Sequence, residues 1–96
     1  MRRAAKIDAN QTRIVDALRA GGATVFITSA VGDGFPDLVV GYCGETFLIE
    51  VKDGAKAPSR RRLTADQERF HGAWTGGRLF VFESIADVEG FLRDWK

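Results

Sequence analysis

Residues 36–54 read PDLVVGYCGETFLIEVKDG, two β-branched and aromatic runs broken at Cys43-Gly44. The runs predict strands over 37–42 and 45–52, joined by a tight hairpin turn at the cysteine-glycine pair. Side chains alternate along a strand, so Phe47, Ile49 and Val51 point to one face while Glu50 and Lys52 point to the other. Two residues of rise span about 6.6 Å, near enough for a carboxylate and an ammonium to act on one ligand. If the first strand pairs antiparallel through the turn, Asp37 comes to lie where Glu50 emerges. Three charges then converge at one strand end.

On either side of this hairpin the periodicities alternate. Asp8-Ala9-Asn10-Gln11 has the form of a capping box, and Gln11, Ile14, Val15 and Leu18 then fall on one helical face that Gly21-Gly22 closes. Residues 23–28 (ATVFIT) predict a strand, followed by a glycine-containing loop over 29–35. After the hairpin, Thr64-Ala65-Asp66-Gln67 is a second capping box, opening a helix whose Gln67, Phe70, His71 and Trp74 share a face and which Gly76-Gly77 ends. Residues 78–82 predict a fourth strand, and Ser84 caps a last helix with Ile85, Val88, Phe91, Leu92 and Trp95 inward. The order αβββαβα predicts an α/β fold with a mixed four-stranded sheet, one crossover, and helices on both faces.

At 96 residues and 45% hydrophobic, the chain fits one domain over 1–96. A net charge of +1 gives no global basic signal, but the charges are uneven: residues 1–51 sum to −1, residues 52–62 to +4 and residues 63–96 to −2. The positive excess is confined to KDGAKAPSRRR, directly after the converging charges. A single cysteine, Cys43, excludes an intramolecular disulfide framework and a multi-cysteine metal site. No apolar run approaches membrane-spanning length, and the Arg2-Arg3 start leads into no hydrophobic signal-peptide core, so a soluble cytoplasmic protein is expected.

The residues of the hairpin admit two readings. Asp37 can cap a turn after Pro36 while Glu50 and Lys52 form an ordinary surface pair on a half-buried strand. Alternatively, two carboxylates a few ångströms apart raise each other's pKa unless a cation sits between them, and hard oxygen ligands suit Mg²⁺ or Mn²⁺. A lysine beside that cation is tolerated only where an anion is also expected. A phosphate supplies the anion, and the chemistry is then metal-dependent phosphodiester hydrolysis.

Pro-Asp, a hairpin's length, then Glu-Val-Lys resembles the PD-(D/E)xK nuclease signature, with Asp37, Glu50 and Lys52 at its catalytic positions. The order αβββαβ matches that family's restriction-endonuclease-like core. More closely, the chain is similar to the small stand-alone VRR-NUC domains of phage and bacteria, which are similar to archaeal Holliday-junction resolvases. The likeness covers nearly the whole chain through SAVGDGFPDLVVG, LIEVKDG and RRLTADQERF. It implies that Asp37, Glu50 and the carbonyl of Val51 bind Mg or Mn, that Lys52 assists the attacking water, and that Gln67 supports the site. It further implies a homodimeric endonuclease acting on double-stranded or branched DNA, Holliday junctions among them. These nucleases usually carry a glutamate on the first helix, where this chain has Gln11. A neutral amide can ligate a metal or hold a water, or Gln11 can simply be the N3 partner of Asp8.

The basic segment puts Lys56, Arg60, Arg61 and Arg62 beside the site, where they can contact phosphates rather than only face solvent. Ser29, Gly32 and Gly34 are either loop residues or points of close backbone approach to a phosphate. His71 has no partner at metal-ligand spacing and reads as packing or surface, and the tryptophans and phenylalanines sit at core spacing. The rival function is a non-catalytic module that holds DNA junctions or a partner protein. A structural domain with no ligand is a third, against which the +4 segment argues.

Overall fold

The computed structural model describes residues 8–96; the Arg2-Arg3 start lies outside the described residues. Its elements are α1 (Ala9–Ala20), β1 (Thr24–Ile27), β2 (Leu38–Tyr42), β3 (Glu45–Val51), α2 (Ala65–Ala73), β4 (Arg78–Phe82) and α3 (Ile85–Trp95), with a 3₁₀ turn at Pro58–Arg60 before α2. The hairpin forms as expected. Cys43 and Gly44 both take positive φ, 50° and 84°, the paired left-handed geometry of a two-residue turn whose twist matches the strands. Tyr42 therefore faces Glu45, Leu38 faces Ile49, and one more step of the same register sets Asp37 beside Glu50.

The sheet runs β1-β2-β3-β4, with the first three strands antiparallel and β4 parallel to β3, so α2 is the crossover between them. This is the expected mixed α/β sheet. On one face, Val25, Leu38, Val40, Phe47, Ile49, Val51 and Phe82 meet Ile14, Val15 and Leu18 of α1 and Val88 and Phe91 of α3. Phe47 packs edge-on against Phe91 at 4.8 Å and Trp95 at 5.2 Å between ring centroids, which anchors α3 on the middle of the sheet.

α2 lies on the opposite face and buries no residue fully. Three expectations change. Trp74 is not core: it is 38% exposed, stacks on Phe70 at 5.4 Å, and donates its indole N–H to the Gly77 carbonyl at 2.9 Å. The helix stops at Ala73, ahead of the glycine pair, because Trp74 turns extended (φ −68°, ψ 120°). Nor is β3 a half-buried strand at its functional end, since residues 47–51 are all buried, Glu50 included. Where α2 gives no cover, apolar side chains reach solvent, most of all Phe26 on edge strand β1, 68% exposed. Among the described residues no helix is long and apolar enough to cross a membrane.

Candidate active site

Glu50 is 1% exposed and sits at the centre of the charged cluster. Its Oε2 accepts from Gln67 Nε2 at 2.9 Å and lies 3.9 Å from the Lys52 ammonium. That ammonium donates to Gln67 Oε1 at 2.7 Å, so one glutamine holds acid and base together. Gln67 can do this because it is also the N3 residue of α2's capping box: the same Oε1 accepts from Thr64 N at 2.8 Å, and Gln67 N donates to Thr64 Oγ1 at 3.2 Å. The helix start that the sequence marks is therefore also a support of the cluster.

Asp37 joins from the position just before β2. Its Oδ2 accepts from the Val51 amide at 2.9 Å, and its carbonyl accepts from Thr28 N at 2.7 Å. The loop that precedes it is clamped as well. Thr28 Oγ1 donates to the Pro36 carbonyl at 2.8 Å, Phe35 meets Phe70 edge-on, and a Cβ on Gly34 would strike the Asp66 carbonyl at the start of α2. A larger residue at Gly34 would push the loop off the helix and carry Asp37 with it.

The other oxygen of Glu50, Oε1, is buried and has no hydrogen-bond partner. Burial, then the neighbouring Asp37 carboxyl, pushes the Glu50 carboxyl up to about 8, and the nearby Lys52 offsets this only in part. A buried carboxyl with an orphaned oxygen is a poor way to stabilise a fold. It is a suitable way to receive a cation.

Gln11 is 6% exposed. Its backbone N–H is capped by Asp8 Oδ1 at 2.8 Å, but its side chain turns away and donates to Ser29 Oγ at 3.0 Å. The reciprocal half of the capping box is not made. Ser29 is thereby fixed beside α1, whereas Gly32 (φ 86°) lies exposed, with open space where a side chain would be. The basic segment divides. Arg61 turns inward, donating to the Lys56 carbonyl at 2.7 Å and pairing with Glu83 at 3.6 Å, while the side chains of Lys56, Arg60 and Arg62 are exposed.

Sequence reasoning passed over Asn10. It is 7% exposed, and its Nδ2 donates to the carbonyls of Lys52 at 2.8 Å and Glu83 at 3.4 Å. The available signal was spacing, since Asn10, Ile14 and Leu18 recur every four residues on the buried stripe of α1. His71, one turn beyond Gln67, is half-buried with its Nε2 enclosed and unpartnered, and burial followed by the charge of Lys52 lowers its pKa. Among the described residues, no three His, Cys, Asp or Glu side chains group as a metal cage. Any ion here would be held by two carboxylates and backbone oxygen.

No family model matches the chain, and no curated protein matches it. A solved structure described as a "VRR_NUC domain" does: it is 27% identical, the alignment covers 93% of this chain and 100% of that one, and the TM-score is 0.60. The mixed sheet, its crossover helix and the hairpin that bears Asp37 and Glu50 are thus set in a VRR-NUC fold, and the chain is a nuclease-like α/β protein.

Proposed function

We propose that this chain is a single-domain, metal-dependent DNA endonuclease that hydrolyses phosphodiester bonds at the Asp37, Glu50 and Lys52 cluster. The observation that carries the reading is Glu50, a carboxyl buried beside a second carboxylate with one oxygen unsatisfied and an ammonium 3.9 Å from the other. Hard oxygen donors of this kind fit Mg²⁺ or Mn²⁺, and Asp37, Glu50 and the Val51 carbonyl would hold the ion. When bound, the ion would polarise the phosphoryl group and lower the pKa of water.

The chain's own groups do the rest. Lys52 faces the scissile phosphate, orients the attacking water and stabilises the negative charge that develops on phosphorus oxygens as one P–O bond forms and another breaks. Gln67 keeps the ammonium from collapsing onto Glu50 by bonding both. Gln11 and Ser29 form the α1 side of the site. Lys56, Arg60 and Arg62, with Arg61 bracing their loop, meet the phosphate backbone, and Ser29 and Gly32 allow it to come close. Likeness to junction resolvases favours branched DNA such as Holliday junctions, a homodimer as the working unit, and action in the cytoplasm.

The other reading is a module that holds DNA junctions without cutting. Lys52 favours cutting, because a binder has no use for a lysine enclosed beside two acids, while the basic segment serves either. Purified protein incubated with a labelled four-way junction or the matching linear duplex, with Mg²⁺, Mn²⁺ or chelator, separates them. Metal-dependent incision of the junction is expected. A shifted but uncut junction in both metals supports the binding module.

A further inference from the structure

We infer that Asn10 is a positioning residue for the site: its amide locks the backbone at Lys52 to the end of β4 and thereby fixes where the ammonium meets Gln67. The inference rests on the nuclease reading, in which the placement of Lys52 matters for rate. The parallel strands part just beyond Val51 and Phe82. Lys52 N still donates to the Phe82 carbonyl at 2.9 Å, and Gly54 N to the Glu83 carbonyl at 3.0 Å. Between these last bonds the Lys52 carbonyl has no strand partner on the β4 side, and Asn10 Nδ2 reaches both it and the Glu83 carbonyl.

The amide can face only one way. Carbonyls accept and cannot donate, so the NH₂ must face them, and the Oδ1 that results is the acceptor that Arg13 Nη2 uses at 3.4 Å. Asn10 also adjoins Gln11 on the first turn of α1, and Gln11 holds Ser29. Two successive side chains of one helical turn therefore secure both walls of the site, the Lys52 backbone and the loop before Asp37. Loss of the Asn10 donor would leave two carbonyls without it and let the strand end splay.

Asn10→Ala and Asn10→Ser test this, the serine keeping a shorter donor. Each is compared with the wild type below its melting temperature by cleavage rate at saturating DNA, DNA affinity, and the NMR signals of the Gln67 side-chain amide. The rate is expected to fall about 10- to 100-fold in Asn10→Ala, as for partners that orient a metal site's ligands, with affinity within about twofold and the Gln67 signals shifted or broadened. Asn10→Ser should recover part of both. A folded Asn10→Ala with the wild-type rate, or with unmoved Gln67 signals, overturns the assignment. The NMR comparison needs no activity, so it still judges Asn10 if the wild type does not cut, an outcome that would overturn the nuclease reading alone. In the wild type, the Asn10 side-chain protons should exchange slowly and show coupling to the Lys52 carbonyl; fast exchange overturns the assignment even if no variant folds.

Discussion

The Glu50 carboxyl is raised from its ordinary 4.5 to about 8, chiefly by burial and next by Asp37. This has a consequence for stability. Below pH 4.5 the carboxyl is protonated in folded and unfolded chains alike, and its contribution is fully present. As pH rises from there towards 8, the unfolded chain releases a proton that the folded chain keeps, so stability falls. The melting temperature in chelator should therefore drop across this window, and Glu50→Gln, a neutral isostere, should flatten the drop and melt higher at its upper end. A parallel pair of melting curves would contradict the protonated Glu50. The converging charges were legible in the sequence because strand alternation fixes which side chains share a face. Two residues were not fully legible. Gln11 was ambiguous because a capping motif does not say whether the N3 side chain turns back to the cap or outward to Ser29. Asn10 was missed because its partner carbonyl lies 42 residues away, and only the fold brings them together.

Among the elements, the hairpin turn was read correctly but carries an unfavourable residue. Cys43 has φ 50°, a left-handed conformation that asparagine adopts more readily than a thiol side chain does. Cys43→Asn is expected to raise the melting temperature by a few degrees, on the basis of about 0.5–1 kcal/mol gained in a domain of this size. An unchanged or lower value by calorimetry would show that the turn is not strained by its cysteine. The segment between β3 and α2 divides by role in a way composition cannot show. Arg60 and Arg62 are free to meet phosphates, whereas Arg61 is held to the Lys56 carbonyl and Glu83. Arg60→Ala and Arg62→Ala should each lower the slope of log affinity against log salt by about 0.9 on duplex DNA. Arg61→Ala should weaken binding through a looser loop. Equal slopes for wild type and both exposed-arginine variants, measured by fluorescence anisotropy, would take the segment out of the DNA interface.

For the whole molecule, the element order carried the topology, because three successive strands followed by a helix and a fourth leave few ways to build a sheet without a crossover. What it did not carry was the uneven cover of the two faces. α1 and α3 share one side and complete the core there, while α2 guards only the charged end of the other, leaving Phe26 and Trp74 partly in water. Periodicity identifies a shared helical face, but not how much sheet lies beneath it. If two copies act together on a symmetric branched substrate, light scattering should give twice the chain mass at micromolar concentration. A monomer mass with and without DNA would remove paired incision from the account.

The most direct test of the central claim is the single-turnover rate of junction cleavage at saturating Mn²⁺ for the wild type, Asp37→Asn and Lys52→Ala. The account predicts metal-dependent cutting by the wild type, none above background by Asp37→Asn, and a loss of at least about 100-fold for Lys52→Ala while it still binds DNA and metal. Cutting by either variant at the wild-type rate would contradict it.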